Sequence, residues 1–523
     1  MTSQSQLSAS SASSSPAGRF PGTWLAILVS ALVTTLSLAV PVEAGSHRAR
    51  LARDLADRLA AASNESGQVI VEGDRAKVER LAARYGLRIT RLLKHGAVVE
   101  LNGGQLHALS QDPEVDHLSS DLPVRSHMAL TRVATGADQV QRGLEGLPGL
   151  TGRGVGVAVI DSGIANHPAL KGRVVASVDF TGSNGRAVDH NGHGTHVAGI
   201  IAGSTADGEF TGMAPDAHLI NLRVLGPDGS GLTSDVIDAI DWAIEYRQKF
   251  NIRVINLSLG HAPMESYRDD PLCQAVERAV RAGIVVVASA GNYGQTEDGK
   301  TIIGGITSPG NSPWALTVGA IDTKGTPERS DDELAPWSSR GPTYIDSVIK
   351  PDLAAPGRRT QSLGVPGSRL WHAYPERQVF DGRRGAYFQL SGTSQAASVV
   401  SGGVALLIEA NSGASPVDVK FTLQAASTFP AGEWVTHVGA GYLNLAASTL
   451  TVRDPGFRLQ LTTIAGETAE PSGLAFLVCD SMCAPTSLFV DATRRNILWT
   501  NNILWTNNIL WTQSVLGTTG LPE

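Results

Sequence analysis

Cysteine, aromatic residues and charge are all in short supply in this sequence, and each shortage excludes something. Three cysteines in 523 residues, Cys273, Cys479 and Cys483, make no disulfide framework; at most one pair bridges, and Cys479 with Cys483 is the candidate nearest in sequence. Charged residues are 17% and hydrophobic ones 42%, which excludes a disordered polyelectrolyte and supplies a large buried core. Lys and Arg number 42 against 49 Asp and Glu, a formal charge of −7, so the footprint of a nucleic-acid binder is missing and function must come from a local site. Glycine runs the other way. Its 57 residues exceed the usual ~7% and call for many tight turns and close backbone approaches.

Long apolar runs are also scarce. An uncharged one, Trp24 to Val40, follows a Ser-rich segment whose sole basic residue is Arg19, and it leads into Val42-Glu43-Ala44. That is the order of a signal peptide cleaved near Ala44, so export is expected, with only transient contact with a membrane. The alternative is an uncleaved anchor through residues 24–40, with Arg48, Arg50 and Arg53 behind it. Toward the other end the hexad Asn496-Ile-Leu-Trp-Thr-Asn501 recurs at 502–507 and, with Gln513 as its last residue, at 508–513. Six is an even period, so an extended chain would keep Ile and Trp on one face; a short β-element packed on its own domain is expected, an adhesive strand being the alternative.

Between the ends the hydrophobic pattern divides the chain. Leu51, Leu55 and Leu59 recur at helical spacing over 48–62 and suggest an exposed amphipathic helix. Next come a strand at 68–72, a helix at 75–85 with Val78, Leu81 and Ala82 inward, strands at 87–93 and 97–101, a short helix at 106–109 and a strand at 115–122. This βαββαβ order is that of a small α+β, ferredoxin-like sandwich. From Gly154 the rhythm changes. Strands without polar alternation at 155–160, 220–224, 254–257, 284–288 and 316–318 alternate with helices such as 234–249 and 272–282, and this predicts an α/β, doubly wound, mostly parallel sheet. The rhythm stops after Leu445. The domains expected are therefore 1–44, 45–127, 128–449 and 450–523.

Three patches carry chemistry, each where a buried element meets a loop: Val-Ile-Asp161-Ser-Gly, Asn-Gly-His193-Gly-Thr-His196-Val-Ala-Gly and Ser-Gly-Thr-Ser394-Gln-Ala-Ala. Taken singly, Asp161 is a turn or cap residue, His193 an ordinary hydrogen bonder and Ser394 an N-cap. Together they supply a nucleophile, a base and an orienting acid in three separate loops, the set that acyl transfer needs. A metal-dependent hydrolase is the rival reading, since His193 and His196 stand three apart and Asp161 could join them, but it leaves Ser394 without a role.

In the order Asp, His, Ser, and with these local sequences, the stretch 128–449 resembles the subtilisin-like serine proteases, the subtilase family. The resemblance rests on long motifs: Val157-Ala-Val-Ile-Asp161-Ser-Gly, His193-Gly-Thr-His-Val-Ala-Gly199, Gly212-Met-Ala-Pro215, Asn256-Leu-Ser-Leu-Gly260, Ala290-Gly-Asn292, Ser338-Ser-Arg-Gly-Pro342, Lys350-Pro-Asp-Leu-Ala-Ala-Pro-Gly357 and Gly392-Thr-Ser394. It implies Ser394 as nucleophile, His193 as general base and then acid, Asp161 as the orienting carboxylate, and Asn292 as an oxyanion donor beside the Ser394 N–H. It also implies a peptide held in extended form between Gly229-Ser230-Gly231 and Ser258-Leu259-Gly260, with Gly291 in the opposite wall of the P1 pocket. The wall segments 257–260 and 288–291 carry no acidic residue, so an apolar P1 residue and broad specificity are expected.

The unit at 45–127 resembles the inhibitory propeptides of these proteases, which makes it an intramolecular inhibitor and folding assistant, removed by self-cleavage between Pro123 and Leu130. No cofactor is required. The family's calcium loop after the histidine helix falls at 204–210, where Ala206 stands in place of a side-chain oxygen and Asp207 and Glu209 remain as carboxylates. Gln395 and Ser398 replace the Met and Pro usual after the nucleophile, and losing the thioether predicts better peroxide tolerance. A non-catalytic relative that uses the fold and its Trp repeats for binding is the alternative to an enzyme; all four catalytic positions are intact.

Overall fold

In a computed structural model the chain forms two compact units, Met1–Pro123 and Val124–Glu523. Described are residues 48–121, 127–144, 146–182, 187–381, 385–454, 456, 458–477 and 498–499. The apolar run 24–40, Ala44, Cys479 and Cys483 lie outside them, as does the hexad repeat apart from Leu498–Trp499.

The first unit contains β1 (Arg50–Leu51), α1 (Arg53–Ala60), β2 (Gly67–Glu72), α2 (Arg75–Tyr85), β3 (Arg88–Leu93), β4 (Gly96–Leu101), α3 (Gly103–Ser110) and β5 (His117–Ser120). Its sheet order is β1-β5-β2-β4-β3, with β2 antiparallel to both β4 and β5. The βαββαβ core is as expected from the periodicity. The amphipathic helix expected over 48–62 is shorter, because Arg50 N and Ala52 N donate to Asp116 O and Leu118 O, so the backbone is committed to β5 before the helix can start. Local chemistry bounds α2: the Asp74 carboxylate accepts from Lys77 N at 2.7 Å, and Gly86 ends it at φ 62°. The helix buries Val78, Leu81 and Ala82, and Leu55 and Leu81 join Val69, Val71, Val99 and Leu118 in this unit's core.

The second unit opens with α4 (His127–Ala134) and α5 (Ala137–Arg142), then β6 (Gly156–Asp161), β7 (Val174–Asp179), α6 (His193–Ala202), β8 (His218–Arg223), α7 (Thr233–Glu245), β9 (Ile252–Leu257), α8 (Pro271–Arg281), β10 (Val285–Ser289) and β11 (Leu316–Asp322). There follow β12 (Glu333–Leu334), β13 (Leu353–Pro356), β14 (Thr360–Leu363), α9 (Arg369–Ala373), β15 (Gln378–Asp381), β16 (Gly385–Leu390), α10 (Thr393–Ala410), α11 (Pro416–Ala426), α12 (Val435–Val438) and α13 (Leu445–Arg453). The main sheet runs β12-β11-β10-β9-β6-β8-β7, with β13 also on β11; every pairing is parallel except β11 with β12.

Burial explains why the central strands read as unbroken apolar runs. In β6, Val157 and Val159 pack into the layer that holds α6 and α10, while Ala158 and Ile160 pack into the layer of α7 and α8. The edge strand β7 alternates half-buried and exposed residues, and so it carried no such signal. The antiparallel sheet β14-β16-β15 was not expected either.

After α13 the chain stays with this unit. A hairpin of β17 (Thr462–Ile464) and β18 (Glu467–Ala469) is tied back by Gln139 Nε2, which donates to Thr463 O at 2.7 Å, and by the Glu467 carboxylate, which accepts from Arg329 N at 2.6 Å. From the hexad repeat, Leu498–Trp499 (β20) lies parallel to Phe476–Leu477 (β19). Among the described residues no helix is long and apolar enough to cross a membrane.

Candidate active site

Because β6 sits between β8 and β9 while the chain visits the two sides in turn, the C-terminal end of β6 borders the crevice where open parallel sheets bind ligands. Asp161 is the last residue of β6 and is 1% exposed. His193 is the first residue of α6, and its Nδ1 lies 2.8 and 3.0 Å from the two Asp161 carboxylate oxygens. This pairing makes Nδ1 the donor and leaves Nε2 facing outward as an acceptor.

The approach depends on a glycine. A Cβ on Gly194 would stand 2.2 Å from Gly163 O, so only glycine lets the first turn of α6 come this close to the end of β6. That turn is pinned from behind by the buried Asp189. Its carboxylate accepts from Gly192 N at 2.7 Å, from Thr195 N at 2.8 Å and from Ser162 Oγ at 2.9 Å, and Ser162 Oγ in turn accepts from Gly194 N at 2.9 Å. Burial works against a charged His193, yet the charge and hydrogen bond of Asp161 prevail and hold its pKa above the ordinary 6.5.

Ser394 is the second residue of α10. Its Oγ donates to Ser258 O at 3.0 Å, while its own carbonyl accepts from Ser258 Oγ at 2.9 Å and from Ser398 Oγ at 2.7 Å. Asn256 Nδ2 reaches Ser258 Oγ at 2.9 Å and Asn256 Oδ1 accepts from Ser401 Oγ at 2.8 Å, so the end of β9 is bolted to the first turns of α10. Asn292 follows β10, and its Oδ1 accepts from Thr393 N at 3.0 Å and Thr393 Oγ1 at 3.1 Å. With Oδ1 so engaged, the donor Nδ2 is left beside the Gly392–Ser394 turn, where the first N–H groups of α10 also emerge.

Beside His193 opens a cleft of roughly 530 Å³. Gly229, Ser230 and Gly231 line it together with Ser258, Leu259 and Gly260, and no Asp or Glu is in its lining. Gly291 stands outside that lining, at φ 101°, packed on Thr307 and Ser339.

A family model of the subtilase family (Peptidase_S8) matches residues 152–444, more than half of the chain. The chain belongs to the subtilase family. Among curated relatives it is 37% identical over 353 residues to a serine protease AprX of Bacillus subtilis (strain 168), covering 66% of this chain and 77% of that one. It is 34% identical over 351 residues to an alkaline protease of Alkalihalobacillus alcalophilus (67% and 78% covered), and 32% identical over 376 residues to subtilisin E of Bacillus subtilis (strain 168) (71% and 86%). Among solved structures, Sphericase aligns at 26% identity with a TM-score of 0.48, covering 60% of this chain and 96% of that one. This subtilase is thus a serine-type endopeptidase that acts on protein or peptide substrates.

Several details of the subtilase site differ from expectation. His196 is no companion of His193: it is fully buried, its Nε2 donates to Phe388 O at 3.1 Å and Thr360 O at 3.2 Å, and burial, aided by the nearby His193, pushes its pKa down to about 3. With Nε2 engaged on two backbone carbonyls, only the buried Nδ1 of His196 is left without a hydrogen-bond partner. Gly231 and Gly260 are required by the protein's own loops, since a Cβ would stand 2.3 Å from Val224 O and 2.5 Å from Ser308 O respectively. Gln395 is buried with its Oε1 turned toward Gly392. Ser398, in place of the usual Pro, gains the hydrogen bond to the Ser394 carbonyl described above. Sequence reasoning missed Leu225, Leu232, Leu272 and Leu370 in the cleft, none of which lies in a motif, and gave no role to Asn191, which opens the histidine patch.

Proposed function

We propose that this subtilase is a secreted endopeptidase made as a zymogen, cleaving peptide bonds through an acyl-enzyme on Ser394. The observation that carries the reading is the two-pronged bond of Asp161 to His193 Nδ1, which leaves Nε2 free as a base; Ser394, at the N-terminus of α10, holds its Oγ on Ser258 O and turns it to Nε2 for the reaction. Catalysis then runs as follows. His193 Nε2 takes the Ser394 proton as Oγ attacks the scissile carbonyl, and the Asn292 amide and Ser394 N–H donate to the developing oxyanion. His193 gives the proton to the leaving amine, and water repeats the sequence to release the acid. The substrate strand lies between 229–231 and 258–260, with Gly291 across from it, and the absence of a carboxylate in the cleft favours an apolar P1 residue.

Residues 1–44 act as an export signal and 45–127 as the propeptide, which blocks the cleft until it is cut between Pro123 and Leu130. No cofactor takes part in the chemistry, and a structural calcium in the 204–210 loop would fall to Asp207, whose carboxylate accepts from Thr205 Oγ1 at 2.7 Å, and Glu209. Intact mass and N-terminal sequencing of the product test the zymogen reading: the wild type should begin near 124–131, and Ser394→Ala should keep its propeptide. Self-processing that persists in Ser394→Ala overturns it.

A further inference from the structure

The cleft has one lip that no motif announces. Between β14 and β16 the chain leaves the sheet, forms α9 and returns through β15. This strap is anchored at several points. Gly364 N donates to Ala386 O at 2.8 Å, Trp371 packs on Phe388 with ring centroids 6.0 Å apart, and β15 pairs with β16. Its tip is bound to the loop that leads into the histidine helix: Arg369 N donates to His190 O and Leu370 N to Asn191 O, each at 3.0 Å. A Cβ on Gly192 would stand 2.7 Å from Ser368 Oγ of the strap, and the φ of 104° there itself favours glycine before His193.

Asn191 joins this strap to the other lip. Its Nδ2 donates to Pro227 O at 3.1 Å and lies 3.0 Å from where a Cβ on Gly229 would be. Leu370, Asn191, His193 and Gly229 thus border one continuous part of the cleft. An extended substrate sends successive side chains to opposite sides. If the P1 side chain enters between 258–260 and Gly291, the side chain one place earlier, P2, turns the other way, toward His193 and Leu370.

We infer that Leu370, held at the cleft by the strap, is a specificity-determining residue that selects an aliphatic P2 side chain. The inference rests on the protease reading above and adds to it a residue and a preference. Leu370 is half-buried and apolar, and a P2 aliphatic group covers it from water on binding, whereas glycine leaves it wet and a charged P2 group loses its hydration.

The test uses the mature enzyme and peptides that differ only at P2, with Gly, Val, Asp or Lys there. The wild type is expected to favour Val over Gly by about tenfold in kcat/KM. Leu370→Ala should bring that ratio down to about twofold, and Leu370→Asp should turn the preference to Lys over Val. Each ratio is taken within one enzyme, so a general loss of activity in a variant cancels. A wild-type ratio near one, or ratios left unchanged in both variants while peptides are still cleaved, overturns the role of Leu370. Cleavage that survives Ser394→Ala would instead overturn the protease reading beneath it.

Discussion

Replacing Ser394 with Ala is expected to lower kcat on a peptide substrate by about 10⁶-fold, as removal of the nucleophile does in subtilisin, with KM nearly unchanged. The size of the effect follows from what is left. Without Oγ no acyl-enzyme forms, and only the oxyanion donors and the cleft still act on the substrate, which accounts for a residual acceleration of about 10³–10⁴ over water. Binding is spared because the cleft walls come from other segments, and the hydroxyl makes a single contact, to Ser258 O at 3.0 Å. Steady-state kinetics of the mature protein decide the point. A drop of less than about 100-fold would mean that another group attacks the carbonyl, because losing one oxyanion donor already costs 10²–10³.

The second largest effect is expected at the carboxylate. Asp161→Asn should lower kcat by about 10⁴-fold, since an amide facing Nδ1 stabilises the wrong tautomer and gives the imidazolium no countercharge. The same change moves the pH profile, and the direction can be worked out. His193 acts as a base only when neutral. In the wild type, burial opposes the charged form but Asp161 overrides it, so the pKa is above 6.5 and activity rises with pH through a midpoint above that value. With the carboxylate gone, burial is opposed only by the weaker influence of Asp189, so the midpoint of the acid limb falls. An acid limb that stays in place in Asp161→Asn would assign it to a group other than His193.

The parts of this molecule that were legible from sequence are those where one physical rule acts alone. Val157-Ala-Val-Ile had to be a strand covered on both faces, and it is. Val78, Leu81 and Ala82 had to face inward from one helix, and they do. The proposed catalytic positions could be picked out because each carries its own local signature, down to Gly194, which lets α6 approach β6. What could not be read depends on contacts far apart in sequence. Leu51 looked helical by spacing, but its backbone pairs with β5, a partner more than 60 residues on. Leu370 reaches the cleft only because α9 binds the loop before His193, and nothing in the run Ser-Arg-Leu-Trp tells of that. Gly231 and Gly260 were marked correctly as glycines at the cleft, while the carbonyls that require them, Val224 O and Ser308 O, could be found only in three dimensions.

The central claim is that Ser394 is a nucleophile activated by the His193–Asp161 pair. It is tested most directly by treating the mature protein with a serine-directed phosphonate and mapping the adduct by peptide mass. The expected result is one adduct per chain, on Ser394, formed in step with loss of activity and slowed severely in Asp161→Asn, while a chelator leaves activity intact. Inactivation without an adduct on Ser394, or activity that resists the phosphonate and falls with the chelator, would contradict the account.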